Sequence, residues 1–174
     1  VLFRSGDFNM PKMLNLSGSS EETFNTKGAG SFTFSAIRPE DLEETEYTLA
    51  AIVVDASGSV SPFENDLVDA IKSAVEACNE SPRSNNLLVR VTEFKNYDVD
   101  EIHGFRPLGD IDVNGYSLNL GATTPLFDAT SDAVGAVVDY GEKLVAQDFD
   151  VNAIVFVITD GMDNTSKLTT AYIK

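Results

Sequence analysis

Residues 48–59 constrain this chain more than any other stretch. Residues 48–54 form an apolar run rich in β-branched side chains, and the run stops at Asp55, with Ser57 and Ser59 at alternate positions beyond it. Such a run, without polar alternation, reads as a strand buried on both faces, as at the centre of a parallel sheet. The segment Asp55-Ala56-Ser57-Gly58-Ser59 then falls in the crevice at the strand's carboxyl end, where open α/β sheets bind ligands. Carboxylate and hydroxyl oxygens are hard donors, suited to Mg²⁺, Mn²⁺ or Ca²⁺ rather than zinc. Taken alone, the same segment also reads as a turn in which Asp55 and the serines cap backbone amides.

The remaining elements decide between the two. Residues 1–30 are rich in Ser, Gly, Asn and Thr without periodicity and read as a flexible leader. Alternation over 31–37 predicts a short strand, followed by a charged connector up to residue 46. Ser61, Pro62 and Glu64 have the form of a capped helix start, and Phe63, Leu67, Ile71, Ala74 and Cys78 recur at helical spacing to about residue 79. Residues 87–94 read as a second main strand. Residues 98–103 read as an edge strand whose charges guard against edge pairing. After a Gly/Asp/Asn-punctuated connector comes a helix from Pro125 to about Gln147, with Leu126, Ala129, Ala133, Val137 and Leu144 along one face. An apolar strand over 151–160 ends in Asp160. Strands alternating with helices imply an α/β fold with a parallel sheet.

Two parallel strands thus end in acids, Asp55 and Asp160, at one edge of the sheet. Thr124 precedes a Pro-started helix whose loop returns to that edge, so two carboxylates and three hydroxyls converge from three loops. The set is too poor in charge to close around a divalent ion, and water or an outside ligand must complete the shell.

These pieces resemble the metal-ion-dependent adhesion site of von Willebrand factor type A domains. That site combines Asp-x-Ser-x-Ser, a threonine and a later aspartate. Here they are Asp55-Ala56-Ser57-Gly58-Ser59, Thr124 within Gly-Ala-Thr-Thr-Pro-Leu, and Asp160 within Ile-Thr-Asp-Gly. The resemblance spans residues 47–174. It implies a doubly wound, Rossmann-like, mostly parallel sheet with flanking helices and one antiparallel edge strand. It further implies that Ser57, Ser59 and Thr124 offer hydroxyl oxygens to Mg²⁺ (or Mn²⁺ or Ca²⁺), while Asp55 and Asp160 bind it directly or through water. An open position accepts a carboxylate from a partner protein. Thr123 stands where a glycine is common and competes with Thr124 for the ligand role. Asp163 reads as second-layer or solvated, and Asp128 as structural.

Composition narrows the function classes. Acidic residues outnumber basic ones 28 to 12, giving a formal charge of −16, which argues against nucleic-acid binding. A single cysteine, Cys78, allows no internal disulfide or thiolate cluster, and a single histidine, His103, argues against a serine–histidine hydrolase. No apolar run reaches the length of a membrane span and no secretory signal is evident, so the expectation is a cytoplasmic protein, and the resemblance implies a bacterial or phage type. A Mg²⁺-dependent phosphoryl-transfer or hydrolase domain is the competing reading. Against it, the chain has no Gly-x-x-x-x-Gly-Lys-Ser/Thr loop, and Ser57 stands where a haloacid-dehalogenase-type phosphatase has a second aspartate. A degenerate domain serving as a scaffold is the third, and the expectation is a binding module rather than an enzyme. Residues 1–5 can be encoded by a sequence resembling a sequencing-adapter end, which makes Met10 or Met13 the expected start. Lys174 falls just inside a new helix, so the domain is expected to be C-terminally incomplete.

Overall fold

The computed structural model describes residues 21–26 and 32–169. Residues 1–20, Ser31 and the helix expected near the C-terminus lie outside them. Six strands form one sheet: β1 (Glu21–Asn25), β2 (Thr33–Ile37), β3 (Glu46–Asp55), β4 (Leu87–Lys95), β5 (Asp98–Pro107) and β6 (Asp150–Ile158). Helices α1 (Glu64–Asn79) and α2 (Leu126–Val145) pack on opposite faces. The order across the sheet is β1-β2-β5-β4-β3-β6.

The run that opens the sequence analysis forms the interior of β3, paired in parallel with β4 on one side and with β6 on the other. Successive side chains of a strand point to opposite faces, so β3 feeds two cores. Leu49, Ala51 and Val53 join Phe34, Phe105, Ala133, Tyr140 and Leu144 beneath α2. Ala50, Ile52 and Val54 join Ile71, Val75, Val89, Val91, Leu108, Tyr116 and Leu118 beneath α1 and the connector after β5. Every β3 residue from Leu49 to Asp55 is buried, as a strand covered on both faces requires.

The expectation of a doubly wound, mostly parallel sheet is overturned. β1 pairs antiparallel with β2, and β4 pairs antiparallel with β5, while only two helices cover the sheet among the described residues. The fold is a mixed α/β sheet. The antiparallel strand foreseen at an edge is interior, because β2 docks alongside β5 and β1 alongside β2. The charges of β5 therefore do not guard an edge. Glu101 binds the Arg90 guanidinium through Nε at 2.6 Å and accepts the Ser35 amide of β2 at 3.0 Å. Arg90 continues to Asp132 of α2 at 2.7 Å, and both partners are 2% exposed. One buried guanidinium thus ties the second main strand to β5 and α2, and through Glu101 to β2.

Residues 21–25, assigned to the leader on composition, form β1. Phe24, 6% exposed, packs its ring 5.3 Å from Phe34 and 5.9 Å from Tyr140, with the Lys143 ammonium 4.0 Å from its centroid. Burying an aromatic side chain is worth about 1.5–3 kcal/mol, and that contact, rather than local pattern, holds the strand. Gly104 lets β2 approach β5, since a Cβ there would lie 2.1 Å from the Ser35 carbonyl oxygen.

The helix start at Ser61-Pro62 also differs from expectation. Residues Gly58–Phe63 turn as a 3-10 helix containing Pro62, and α1 begins only at Glu64, with no side-chain cap. The 3-10 turn accommodates Pro62, which cannot donate within a helix. It carries the chain out of the Asp55–Ser59 segment before α1 starts. Cys78 is half-buried at the α1 face.

Strand β6 is the second edge. Its inner edge is paired along its length to β3, yet Ile154, Phe156 and Val157 remain 43%, 49% and 37% exposed.

Candidate metal centre

Strands β3, β4 and β6 run parallel, so Asp55 and Asp160 emerge at the same carboxyl edge. The structure brings Asp55, Ser57, Ser59 and Asp160 into one hydrogen-bonded chain. Asp55 is fully buried and accepts the Ser57 amide on Oδ1 at 2.8 Å and the Thr159 hydroxyl on Oδ2 at 2.6 Å. Ser57 Oγ lies 3.1 Å from Ser59 Oγ, and Ser59 donates to Asp160 Oδ1 at 2.8 Å. Asp160 is exposed at the rim. The turn reading and the site reading of Asp55 are therefore compatible: one oxygen holds the turn and the same carboxylate faces the edge.

The third loop reaches the edge through backbone. The Gly121 amide donates to the Ala56 carbonyl at 2.7 Å. Gly121 fits against the β4–β5 hairpin, for a Cβ there would fall 2.6 Å from Lys95 Cβ. Thr124 is buried, and its Oγ1 faces Gly161, 3.9 Å from where a Cβ on that residue would stand. No hydrogen bond engages Thr124 Oγ1 among the described residues. Thr123 differs, donating its hydroxyl to the Asn96 carbonyl at 2.7 Å, away from the carboxylates. Asn96 sits in the hairpin with φ 55°, a left-handed conformation that asparagine tolerates. It also receives the Thr165 hydroxyl at 2.8 Å and the Ala122 amide at 2.9 Å, so one hairpin residue fastens both flanking loops.

The segment after β6 is stitched to the start of α2. Thr124 and Asn164 exchange bonds, the Thr124 amide to Asn164 Oδ1 at 2.8 Å and the Asn164 amide to the Thr124 carbonyl at 3.1 Å. Asp163 accepts from the Ser166 hydroxyl and, at 3.3 Å, from the Phe127 amide, so it holds this loop and is not merely solvated. Asp128 accepts the Lys167 and Leu168 amides, each at 2.9 Å, in the structural role read for it. The residues sequence reasoning missed here are Thr159, Asn164 and Asn96. All are polar loop residues whose partners lie far along the chain, and only Thr159, beside Asp160, carried a local signal.

The donor set fits a hard divalent cation. Carboxylate and hydroxyl oxygens meet at one edge, and the Ser59 proton is aimed at a carboxylate, which leaves hydroxyl lone pairs free to face a cation. Among the described residues no group of three or more His, Cys, Asp and Glu side chains gathers to hold a metal. A cation at this edge would therefore depend on neutral hydroxyls as well as on the two aspartates. Beside the carboxylates, Val60, Phe63, Leu67 and Ile158 line a cleft of about 170 Å³ whose rim includes Asp55, Thr159 and Asp160.

His103, the lone histidine, lies elsewhere and is structural. Its Nδ1 donates to the Gly104 carbonyl at 2.9 Å, so Nε2 accepts the Tyr116 hydroxyl at 2.7 Å. Burial holds His103 below its ordinary value and pushes Tyr116 up to about 12. Lys95, beside the hairpin, is pulled down by burial, but the hydrogen bonds it donates to Asp100 and Glu93, and their charges, outweigh this and raise it.

In comparisons with known proteins, no family model and no curated protein matches the chain. Among the described residues no helix is long and apolar enough to cross a membrane.

Proposed function

We propose that this chain is a divalent-cation-dependent protein-binding module. Asp55, Ser57, Ser59, Thr124 and Asp160 hold Mg²⁺ (Mn²⁺ or Ca²⁺ in its place), and an open position takes an acidic side chain from a partner protein. The observation that carries the reading is the hydrogen-bonded chain from Asp55 through Ser57 and Ser59 to Asp160, across two parallel strand ends. The motif resembles that of von Willebrand factor type A adhesion sites, here on a mixed rather than doubly wound sheet.

The chemistry follows from the ligands. Hydroxyls are neutral, so a shell with only two carboxylates leaves a divalent ion electrophilic, and an outside carboxylate completes it. Asp55, buried and held on both oxygens, orients the Ser57 amide. Asp160, exposed, holds the Ser59 hydroxyl and fronts solvent. The strongly acidic surface repels an acidic partner at long range, so the metal supplies the attraction locally. A cytoplasmic setting accords with a single cysteine.

Isothermal titration and thermal melts with MgCl₂, MnCl₂ and CaCl₂ test the reading. A ligand at a hundredfold excess over its Kd stabilises the fold by about 2.7 kcal/mol. Wild type gains that stability, Asp55→Ala and Asp160→Ala lose it, and free glutamate binds only when metal is present. If no ion raises the melting temperature or gives a binding isotherm, the reading fails.

A further inference from the structure

We propose that Thr159 and Asn164 are positioning residues that set the metal affinity of this edge without touching the ion. The inference rests on the reading of the edge as a divalent-cation site.

Thr159 bonds both carboxylate-bearing segments without being a candidate ligand itself, as Ser59 does from within the ligand set. The Thr159 hydroxyl donates to Asp55 Oδ2 at 2.6 Å and accepts the Gly161 amide at 3.1 Å, on the far side of Asp160. Asp55 is then restrained on both oxygens, by Thr159 and by the Ser57 amide, so the plane of its carboxylate is fixed. The turn that carries Asp160 is restrained by the same hydroxyl. The two strand ends are thereby joined through the Thr159 oxygen as well as through Ser59, and both bridges restrain the gap between their carboxylates.

Asn164 does the equivalent for the third loop. Its reciprocal pair with Thr124 clamps the peptide units on both sides of that residue. Thr124 Oγ1 is left facing Gly161, the residue whose amide Thr159 holds. Thr159 and Asn164 thus act on three of the five candidate ligands and on the turn between them. Both are exposed and contribute nothing to either core.

Neutral hydroxyl ligands bind a divalent ion weakly unless they are held in place. Outer residues that fix ligand geometry commonly matter about 10- to 100-fold in metal affinity. That is the scale expected here.

The test uses the full chain and MnCl₂, with affinity read by titration calorimetry and by the electron paramagnetic resonance signal of free Mn²⁺. Thr159→Val keeps the shape and removes the hydroxyl, while Thr159→Ser keeps the hydroxyl. Asn164→Ala removes the acceptor for Thr124, while Asn164→Asp keeps one. Melting in EDTA reports the fold without metal. The expected result is that Thr159→Val and Asn164→Ala weaken Mn²⁺ binding about 10-fold or more. The Ser and Asp variants stay near wild type, and all four melt close to wild type in EDTA. Wild-type affinity in Thr159→Val and Asn164→Ala overturns the proposal. So does an EDTA melting loss with affinity unchanged, or a failure of Thr159→Ser to restore binding. If wild type itself binds no Mn²⁺, the metal-site reading falls and this inference falls with it. If wild type binds and the variants match it, only this inference fails.

Discussion

Replacing Arg90 by methionine tests the reading that a buried ion network holds the sheet together. Arg90 is 2% exposed and bonds Asp132 at 2.7 Å and Glu101 at 2.6 Å. Methionine fills most of the volume but leaves Asp132, 2% exposed, without its counter-charge. Breaking a buried pair from one side costs about 3–5 kcal/mol, because the remaining charge stays desolvated. That is a large part of the total stability of about 5–15 kcal/mol common to small domains. At about 2–4 °C per kcal/mol for a chain of this size, the melting temperature should fall by roughly 10 °C.

The pH dependence sharpens the test. Burial raises the Asp132 carboxyl above its ordinary value of 3.8, and Arg90 opposes the rise. An acid raised in the folded state binds its proton more tightly folded than unfolded. Its charge therefore costs stability progressively as pH climbs from 3.8 through the folded value. Without Arg90 that value rises further, so the deficit of Arg90→Met relative to wild type should shrink as pH is lowered from neutrality. Urea melts of both proteins at a series of pH values measure it. Arg90→Met/Asp132→Leu, which removes the orphaned charge, should recover most of the loss. A deficit near zero at neutral pH, one that does not change with pH, or a double variant as unstable as the single one would refute the reasoning.

Three further outcomes are expected. Gly104→Ala drives a Cβ to 2.1 Å from the Ser35 carbonyl oxygen, so β2 must move off β5. Overpacking of this kind costs about 1–3 kcal/mol or more, and hydrogen exchange at 33–37 should quicken far more than exchange in β3. Because burial lowers His103 from 6.5, its contribution is intact above that value and lost as pH falls through the lowered one. Tyr116→Phe leaves His103 Nε2 buried without its donor and should cost about 1–3 kcal/mol in denaturant melts at neutral pH, with the pH sensitivity below 6.5 reduced. Tyr140→Phe removes the buried 2.7 Å bond to the Ile37 carbonyl, for a loss of about 0.5–1.5 kcal/mol by the same melts.

The long elements were legible because their signals are local. The runs at 48–54 and 151–158 are continuous and apolar, and α2 repeats Ala129, Ala133, Val137 and Leu144 at helical spacing. Those features put Asp55 and Asp160 at strand ends, where the structure has them. What escaped depends on contacts distant in sequence. β1 has one apolar side chain in five residues, and its partners, the β2 ladder, Phe34, Tyr140, Lys143 and Arg106, all lie outside it in sequence. The acids of β5 read as an edge defence because their partners lie on another strand: Glu101 binds Arg90, which also contacts Asp132 on α2, and Asp100 binds Lys95. Strand–helix alternation points to a parallel sheet and the resemblance to a doubly wound one, but neither says anything of the β1–β2 pair or of what lies beyond β5. Within the site, the aspartates and serines advertised themselves through one compact motif. Thr123 and Thr124 are adjacent and alike, and only the Asn96 carbonyl, contributed by a hairpin, distinguishes their hydroxyls.

The outer edge of β6 sets how these molecules behave toward one another when crowded. Among the described residues no strand pairs with that outer edge, and its amides and carbonyls, beside half-exposed Ile154 and Phe156, are a surface on which another strand can template. Opposing that is mutual repulsion from a formal charge of −16. Only the repulsion is screened by salt, with a range of about 10 Å at 0.1 M ionic strength and about 3 Å at 1 M. Colloidal stability should accordingly be highest in dilute buffer, with salting-out setting in early as ionic strength climbs. An added Lys on the outer face of β6 should widen the range of salt over which the protein stays dispersed.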